Sequence, residues 1–363
     1  MSEGSVFVRG DGRVCAVYKD ARGKTKYLYA KTKKEVRRKL RQALKDRDEG
    51  IIPPSKMTIG NLLDEWLEEM RGEVSERTYL NREGMVRLHI KPTIGTTKLA
   101  SLTPDDVRGL YRRKLAQGMA SSSVKRIHVV LNQAFRYAVR SKYIHANPLD
   151  DVKPPTVRTR DMDVLTPEQV NRLLDTAYGD RLECAYILGA LCALRVGEAL
   201  SLRFEDCDLV EGTISIRRTL WRNKTYAPKT DASEATIRVP ERALDALRRH
   251  ATKHGNPKEG WLFQTRNGNP VAASNFHSQN WKPLLRRAGV PESLTFHQLR
   301  HGAASLLLNQ GVPVPVVSKY LRHRNPSITM TTYAHIIEGT GGVAADALNQ
   351  TLGTSQKRHL KAL

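Results

Sequence analysis

The sequence predicts a multidomain, mainly α protein with small β-sheets: a small three-stranded sheet plus helix, an all-helical segment, and a larger mixed α/β, mostly helical part. Three observations carry this. The chain has 363 residues, more than the roughly 100 to 200 of one typical domain. Two-residue alternation of apolar side chains is confined to residues 5–30 and two short later runs, while helical spacing governs most of the remainder. Proline-rich stretches near 51–55 and 152–163 divide the chain. The expected parts are residues 1–52, 57–150 and 164–345, with a linker at 151–163 and a tail at 346–363.

In the first part Val6 and Val8, then Val14, Ala16 and Tyr18, then Tyr27 and Tyr29 alternate as strands, with turns at Asp11-Gly12 and Arg22-Gly23. Thr32 is placed to cap a helix over Lys33–Asp48, whose Val36, Leu40 and Leu44 would cover one sheet face. In the second part Ile59, Leu62, Leu63, Trp66, Leu67 and Met70 recur at helical spacing. Ser75 opens a helix to Val86, Thr103-Pro104-Asp105-Asp106 opens a third, and a fourth covers roughly Ser122–Ser141. Thr166-Pro167-Glu168-Gln169 begins the third part with a capping box. An apolar helix over roughly Leu182–Leu194 runs into Arg195, and strands at Thr213–Ile216 and Thr236–Val239 enclose a loop with Pro228-Lys229-Thr230. Helices resume at Glu241–His250 and from Ala273 onward, and no internal repeat of 20–50 residues is present.

The charge balance points to polyanionic partners. Sixty Lys/Arg face 37 Asp/Glu, a formal net charge of +23. The excess is spread out: 15 basic against 7 acidic residues in 1–50, 15 against 10 in 57–150, and 29 against 20 in 151–363. A single basic tail would look different, so every part is expected to touch phosphate, with affinity falling steeply in salt. Lys33, Lys34 and Arg37 on the first helix, and Lys125 and Arg126 on the fourth, are the candidate DNA contacts. The four cysteines form no Cys-x-x-Cys pair; Cys184 and Cys192 read as small buried hydrophobes. Asp161 and Asp163 lack a third carboxylate at a recognisable spacing, so we expect no metal site and no cofactor. No stretch approaches the roughly 18 apolar residues of a membrane span, so no membrane is expected among the partners.

The stretch from Leu294 to His335 concentrates chemistry, placing His297, Arg300, His323 and Tyr333 in one region, with Arg195 upstream. Breaking a phosphodiester without a metal needs a nucleophile, donors for the non-bridging oxygens and an acid for the departing sugar oxygen. Arginine suits the second task because its fork binds phosphate bidentately and stays charged. Tyrosine suits the first because its phosphoester can be held and later reversed, though a phenol of pKa about 10 needs activation. His297 and Arg300 stand three apart on an apparent helix, with Leu306, Leu307 and Leu308 anchoring it; Ser327 is read as the cap of the helix that bears Tyr333.

The boxes ALCALRVGEALSLRFEDCDL, HQLRH and YLRHRNPSITMTTYAH resemble the signatures of the tyrosine recombinase, or phage integrase, family, as do the Arg300–His323 and His323–Tyr333 intervals. The resemblance spans nearly the whole chain and implies an arm-type DNA-binding domain (1–52), a helical core-binding domain (57–150) and a catalytic domain (164–345). It implies that Arg195 and Arg300 clamp the scissile phosphate, and that His297 bonds phosphate and can accept the tyrosine proton. His323 would support a phosphate oxygen, Lys229 would be the general acid, and Tyr333 would form a 3′-phosphotyrosyl link. Glu198 would orient the active-site side chains. Two departures stand out. Arg322 replaces the family's usual glycine before the third-box histidine, which implies either a different local turn or an extra phosphate contact. Ser233-Glu234-Ala235 stands where an arginine often follows the lysine, which makes Lys224 the substitute acid. His301 and His335 are expected to be structural.

The implied protein is a metal- and ATP-independent integrase of a phage or mobile element, acting as a homotetramer on double-stranded attachment-site DNA. An excisionase or other directionality factor could accompany it, in the cytoplasm of a bacterial host at the nucleoid. The tail is expected to pack on a neighbouring protomer. The alternatives are a non-catalytic DNA-binding regulator with a recombinase-like fold, or a chromosome-dimer resolvase; a type IB topoisomerase is a lesser one.

Overall fold

The computed structural model describes residues 4–20, 23–49, 56–157, 165–227, 235–334 and 350, and the chain forms two compact units, 1–160 and 161–363. The tail apart from Gln350, His335, Asp161, Asp163 and Lys229 all lie outside the described residues. No helix among the described residues is long and apolar enough to cross a membrane.

In the first unit β1 (Ser5–Val8), β2 (Val14–Lys19) and β3 (Thr25–Ala30) form an antiparallel sheet in that order. Gly12 and Gly23 adopt φ of 78° and 75°, the left-handed conformation the two turns require. Thr32 caps α1 (Lys33–Asp48), its hydroxyl accepting from the Glu35 N–H. Val14 pairs with Ala30 and Ala16 with Leu28, so these four face inward and are closed by Val36 and Leu40. The sequence alternation groups Tyr27 and Tyr29 with that inner set, but they lie on the outer face, 55% and 45% exposed. Their side is decided by the register with β2, which alternation within one strand does not contain.

The same unit holds α2 (Ile59–Glu69), α3 (Glu76–Met85), α4 (Lys91–Ile94), α5 (Pro104–Ala116) and α6 (Ser121–Arg140). Capping boxes at Thr58 and Thr103 start α2 and α5. Ile59, Leu62, Leu63 and Trp66 meet Val107, Leu110, Val124, Ile127, Leu131 and Phe135 in one core. The chain does not leave the helix at Val86. A π-helical turn over Val86–Ile90 carries it into α4, because Pro92 has no N–H with which to continue the ordinary ladder.

The second unit begins with α7 (Pro167–Thr176), capped by Thr166 and Gln169, and the buried α8 (Glu183–Leu191). After α9 (Val196–Ala199) come β4 (Cys207–Asp208), β5 (Thr213–Ile216), β6 (Thr219–Trp221), β7 (Lys224–Tyr226) and β8 (Ala235–Arg238). One antiparallel sheet has the order β4-β5-β8; β6 and β7 make a separate hairpin. That hairpin has no strong sequence signal. Its turn residues Arg222 and Asn223 adopt φ of 47° and 60°, the geometry of a tight type I′ turn, without the glycine that usually announces one. The remaining helices are α10 (Glu241–Lys253), α11 (Ala273–Asn275), α12 (Lys282–Ala288), α13 (His297–Asn309), α14 (Val314–Tyr320) and α15 (Pro326–Thr332).

Two expected details differ. Helix α8 stops at Leu191 rather than Leu194, because Ala193 takes a left-handed φ of 50° and turns the chain before Arg195. The cap of α15 is Asn325, whose side-chain oxygen accepts from the Ser327 N–H; Pro326 then fills the first helical position and Ser327 the second. On α13 only Leu308 of the three leucines is fully buried; Leu299, Gly302 and Ala304 complete the packed face.

Candidate active site

Three segments build the site: the turn between α8 and α9, the start of α13, and the stretch from the end of α14 to the end of α15. Arg195 sits at the N-cap of α9, with Glu198 three residues on. Glu198 accepts from the Arg195 backbone N–H at 3.0 Å and from its Nη1 at 2.6 Å, so the arginine is held at both ends. Burial alone would raise the Glu198 pKa. Arg322 and Arg195 outweigh it and hold the carboxyl below its usual range.

Helix α13 presents His297, Arg300 and His301 in its first turns. Arg300 is 1% exposed and donates from Nη1 to the Ala193 carbonyl at 2.6 Å and from Nη2 to the Leu321 carbonyl. Each Nη keeps a second N–H. Desolvation, then Arg195 and Arg322, lower its pKa to about 9. His297 is exposed at the mouth of the site. Desolvation by the surrounding side chains, followed by His301, Arg300 and Arg195, nonetheless brings its pKa to about 4.

The ten-residue step from His323 to Tyr333 is one short helix with its flanks. His323 Nδ1 pairs with the Thr329 hydroxyl at 2.8 Å, and the Thr329 carbonyl accepts the Tyr333 N–H at 3.0 Å. Thr329 thereby ties the histidine to the tyrosine. The pKa of His323 falls to about 4, through desolvation and then Arg300 and Arg195. Tyr333 is 1% exposed, and burial, opposed by Arg300, raises its phenol to about 12. Its hydroxyl lies 2.7 Å from His301 Nδ1.

The geometry therefore brings together Arg195, Glu198, His297, Arg300, His323 and Tyr333. Lys229 is outside the described residues; Lys224 is exposed on β7. His301, expected to be structural, pairs with the phenol, and its ring stands edge-on to His297 at 4.7 Å. The i, i+4 spacing of the two histidines was the available signal. Arg322 retains the turn that a glycine would make, with φ of 54°, and it is 3% exposed with its side chain turned inward. The left-handed φ is one that favours glycine, and the guanidinium is bonded within the protein. Lys33, Lys34, Arg37, Lys125 and Arg126 all present exposed side chains.

Comparison with known proteins gives this constellation its setting. The phage integrase family matches residues 163–338, and the N-terminal SAM-like domain of phage integrases matches residues 58–115. The chain belongs to the tyrosine recombinase, or phage integrase, family. As a member it is an enzyme that cleaves and rejoins DNA. A tyrosine recombinase XerC-like protein of Caldanaerobacter subterraneus is 29% identical, over 91% of this chain and 93% of the relative. The transposase from transposon Tn916 of Enterococcus faecalis is 25% identical, over 90% and 89%. Among solved structures, the Tn1549 transposon integrase in complex with transposon right end DNA superposes with a TM-score of 0.70 at 23% identity, covering 82% of this chain and all of that one. A lambda integrase tetramer bound to a Holliday junction gives 0.62 at 18% identity, covering 90% and 94%. At these identities the two structures establish a shared fold for the recombinase.

Proposed function

We propose that this recombinase is the integrase of a phage or mobile element and that it works through Tyr333. The observation that carries the reading is the charge balance of the site. Three arginines, Arg195, Arg300 and Arg322, surround one buried carboxylate, Glu198, and two histidines are held neutral beside them. A phosphodiester supplies the missing negative charge.

In this reading Arg195 and Arg300 donate their remaining N–H groups to the non-bridging oxygens, and His297 and His323 add hydrogen bonds. The Tyr333 oxygen attacks phosphorus, a 3′-phosphotyrosyl bond forms, and the 5′ oxygen leaves with a proton from Lys229. His301 receives or shares the phenol proton. Attack by a 5′ hydroxyl from another strand reverses the step and frees the tyrosine. Residues 1–52 would hold arm-type DNA and 57–150 core-type DNA. The outer face of the small sheet, where Tyr27 and Tyr29 stand, adds to Lys33, Lys34 and Arg37 as a contact surface. The assembly would be a homotetramer on double-stranded DNA in the host cytoplasm, with a directionality factor as a further partner. The Tn1549 transposon integrase in complex with transposon right end DNA and the lambda integrase tetramer bound to a Holliday junction support this reading.

The test is covalent capture. The full chain is incubated in EDTA with nicked duplexes carrying a randomised core, and adducts that survive denaturant are isolated and sequenced. A defined target should emerge from the wild-type chain. Tyr333→Phe should bind the same duplex and form no adduct; a persistent adduct would show that another residue is the nucleophile.

A further inference from the structure

Arg322 makes four side-chain hydrogen bonds, all of them within the protein. Nη1 donates to the Tyr320 carbonyl at 3.1 Å and the Cys192 carbonyl at 3.4 Å; Nη2 donates to the Ala193 carbonyl at 3.0 Å and to Glu198 Oε2 at 3.1 Å. Two of these partners are shared with Arg195 and Arg300, the arginines proposed to bind phosphate. Glu198 is the carboxylate that holds Arg195, and the Ala193 carbonyl also accepts from Arg300. Together with the Tyr320 hydroxyl on the Leu191 carbonyl, they satisfy three successive carbonyls where α8 ends, immediately before Arg195. Helix C-termini present such orphan acceptors and favour cations there.

Packing alone does not account for this residue. A non-glycine side chain at φ of 54° is strained, and the buried Nε–H has no partner among the described residues. Strain and an orphaned donor at one residue beside a reactive centre point to a role in that centre.

We propose that Arg322 is a positioning residue for DNA cleavage: from inside the fold it fixes Glu198 and the Ala193 turn, and so sets the Arg195 guanidinium toward the scissile phosphate. The proposal rests on the reading that this site cleaves DNA through Tyr333. Arg195 bonds Glu198 through its backbone N–H and Nη1 only, which leaves Nε and Nη2 to engage phosphate. With Arg322 occupying Oε2, the carboxylate cannot rotate without breaking three bonds.

The experiment measures the single-turnover rate of adduct formation on the captured nicked duplex from pH 5 to 8. The wild-type chain must form adduct; if it does not, the assignment of function fails before Arg322 is in question. Arg322→Gly, which suits the left-handed backbone, is expected to bind the duplex as tightly, react at least tenfold more slowly, and lose activity at a higher pH as the solution is acidified. The cause is that Glu198 would then face Arg195, with Arg300 and His297 beyond, and protonate more readily. Arg322→Lys returns a cation beside Glu198 but cannot bridge the carbonyls. It is expected to recover the wild-type acid limb at a reduced rate, a recovery that a purely structural role does not produce. Glu198→Gln added to Arg322→Gly should slow the reaction little further. Wild-type rate and acid limb in both Arg322 variants would overturn the proposal. Should Arg322→Gly fail to fold, Arg322→Lys decides alone: a reduced rate at unchanged melting temperature supports the role, and an unchanged rate refutes it.

Discussion

Gly189→Ala provides a sharp test of how α8 packs on α13. Gly189 lies inside α8, where alanine is ordinarily the better helix former by roughly 0.5–1 kcal/mol. Here a Cβ would stand 2.3 Å from Phe296 Cζ and 2.9 Å from both Cε atoms, far inside normal contact. The ring has little room to retreat. Phe296 is 4% exposed and packs edge-on against Phe276 at 5.3 Å and Trp281 at 5.6 Å between centroids. Overpacking costs about 1–3 kcal/mol, and a 2.3 Å approach to a confined ring belongs to the upper half of that range, so after the helix gain a net loss of about 1–2 kcal/mol remains. For a unit of this size that corresponds to a fall in Tm of roughly 2–8 °C. Phe296 immediately precedes His297, so adduct formation should slow as well. Thermal unfolding followed by circular dichroism reads the first effect. Gly109→Ala is the control: it lies in α5 with nothing within 4 Å of its Cβ position, and should stabilise by up to about 1 kcal/mol. A Gly189→Ala chain melting at or above the wild-type temperature would refute the packing argument.

Two further outcomes follow from the site. The folded pKa values of His297 and His323 lie near 4, below their ordinary value of 6.5, so between those pH values the unfolded chain binds protons that the folded chain refuses. Their contribution to stability is complete above about pH 6.5 and is lost as pH falls toward 4. Urea midpoints measured from pH 7 to 4.5 should therefore fall less steeply in His297→Asn/His323→Asn than in wild type; parallel curves would contradict the shifts. Thr329→Val keeps the branched shape but removes the hydroxyl that orients His323, and Thr329 is fully buried. Losing that bond, worth about 1 kcal/mol, should slow adduct formation roughly five- to tenfold while stability changes by no more than a similar amount; wild-type kinetics would show that His323 needs no such support.

What was legible in the sequence was mostly local. Thr32, Thr103 and Thr166 announce their helices because each cap bonds a backbone N–H three residues on, inside the window a reader scans. The apolar periods of α2 and α6 map directly onto their core. The grouping of Arg195, His297, Arg300, His323 and Tyr333 was legible through the spacing of motifs. Its finer arrangement was not. Tyr27 and Tyr29 could be placed on a face only after the register with β2 was known. His301 took its meaning from the phenol 32 residues away, and Arg322 from carbonyls about 130 residues upstream. Such partners are chosen by tertiary packing, and one chain read alone does not contain them.

The packing also divides the proposed site between two clusters of very different size. Leu194, Ala199, Leu200 and Leu299, which flank Arg195, Glu198 and Arg300, belong to the large core of the second unit. Tyr333 belongs to a different and much smaller cluster with Ala193, Ala304, Leu308, Val317 and Leu321. On the proposed mechanism, a phenol 1% exposed and paired with His301 has to become accessible before it attacks a phosphate. On that mechanism it has to shift out of that cluster. Opening a cluster of six buried side chains costs far less than disturbing the main core, because opening energies track the apolar contacts broken. The proposed phosphate donors, Arg195 and Arg300, can therefore stay in register while Tyr333 moves. Ala193 joins the two layers: its side chain packs beside Tyr333 and its carbonyl receives Arg300 and Arg322.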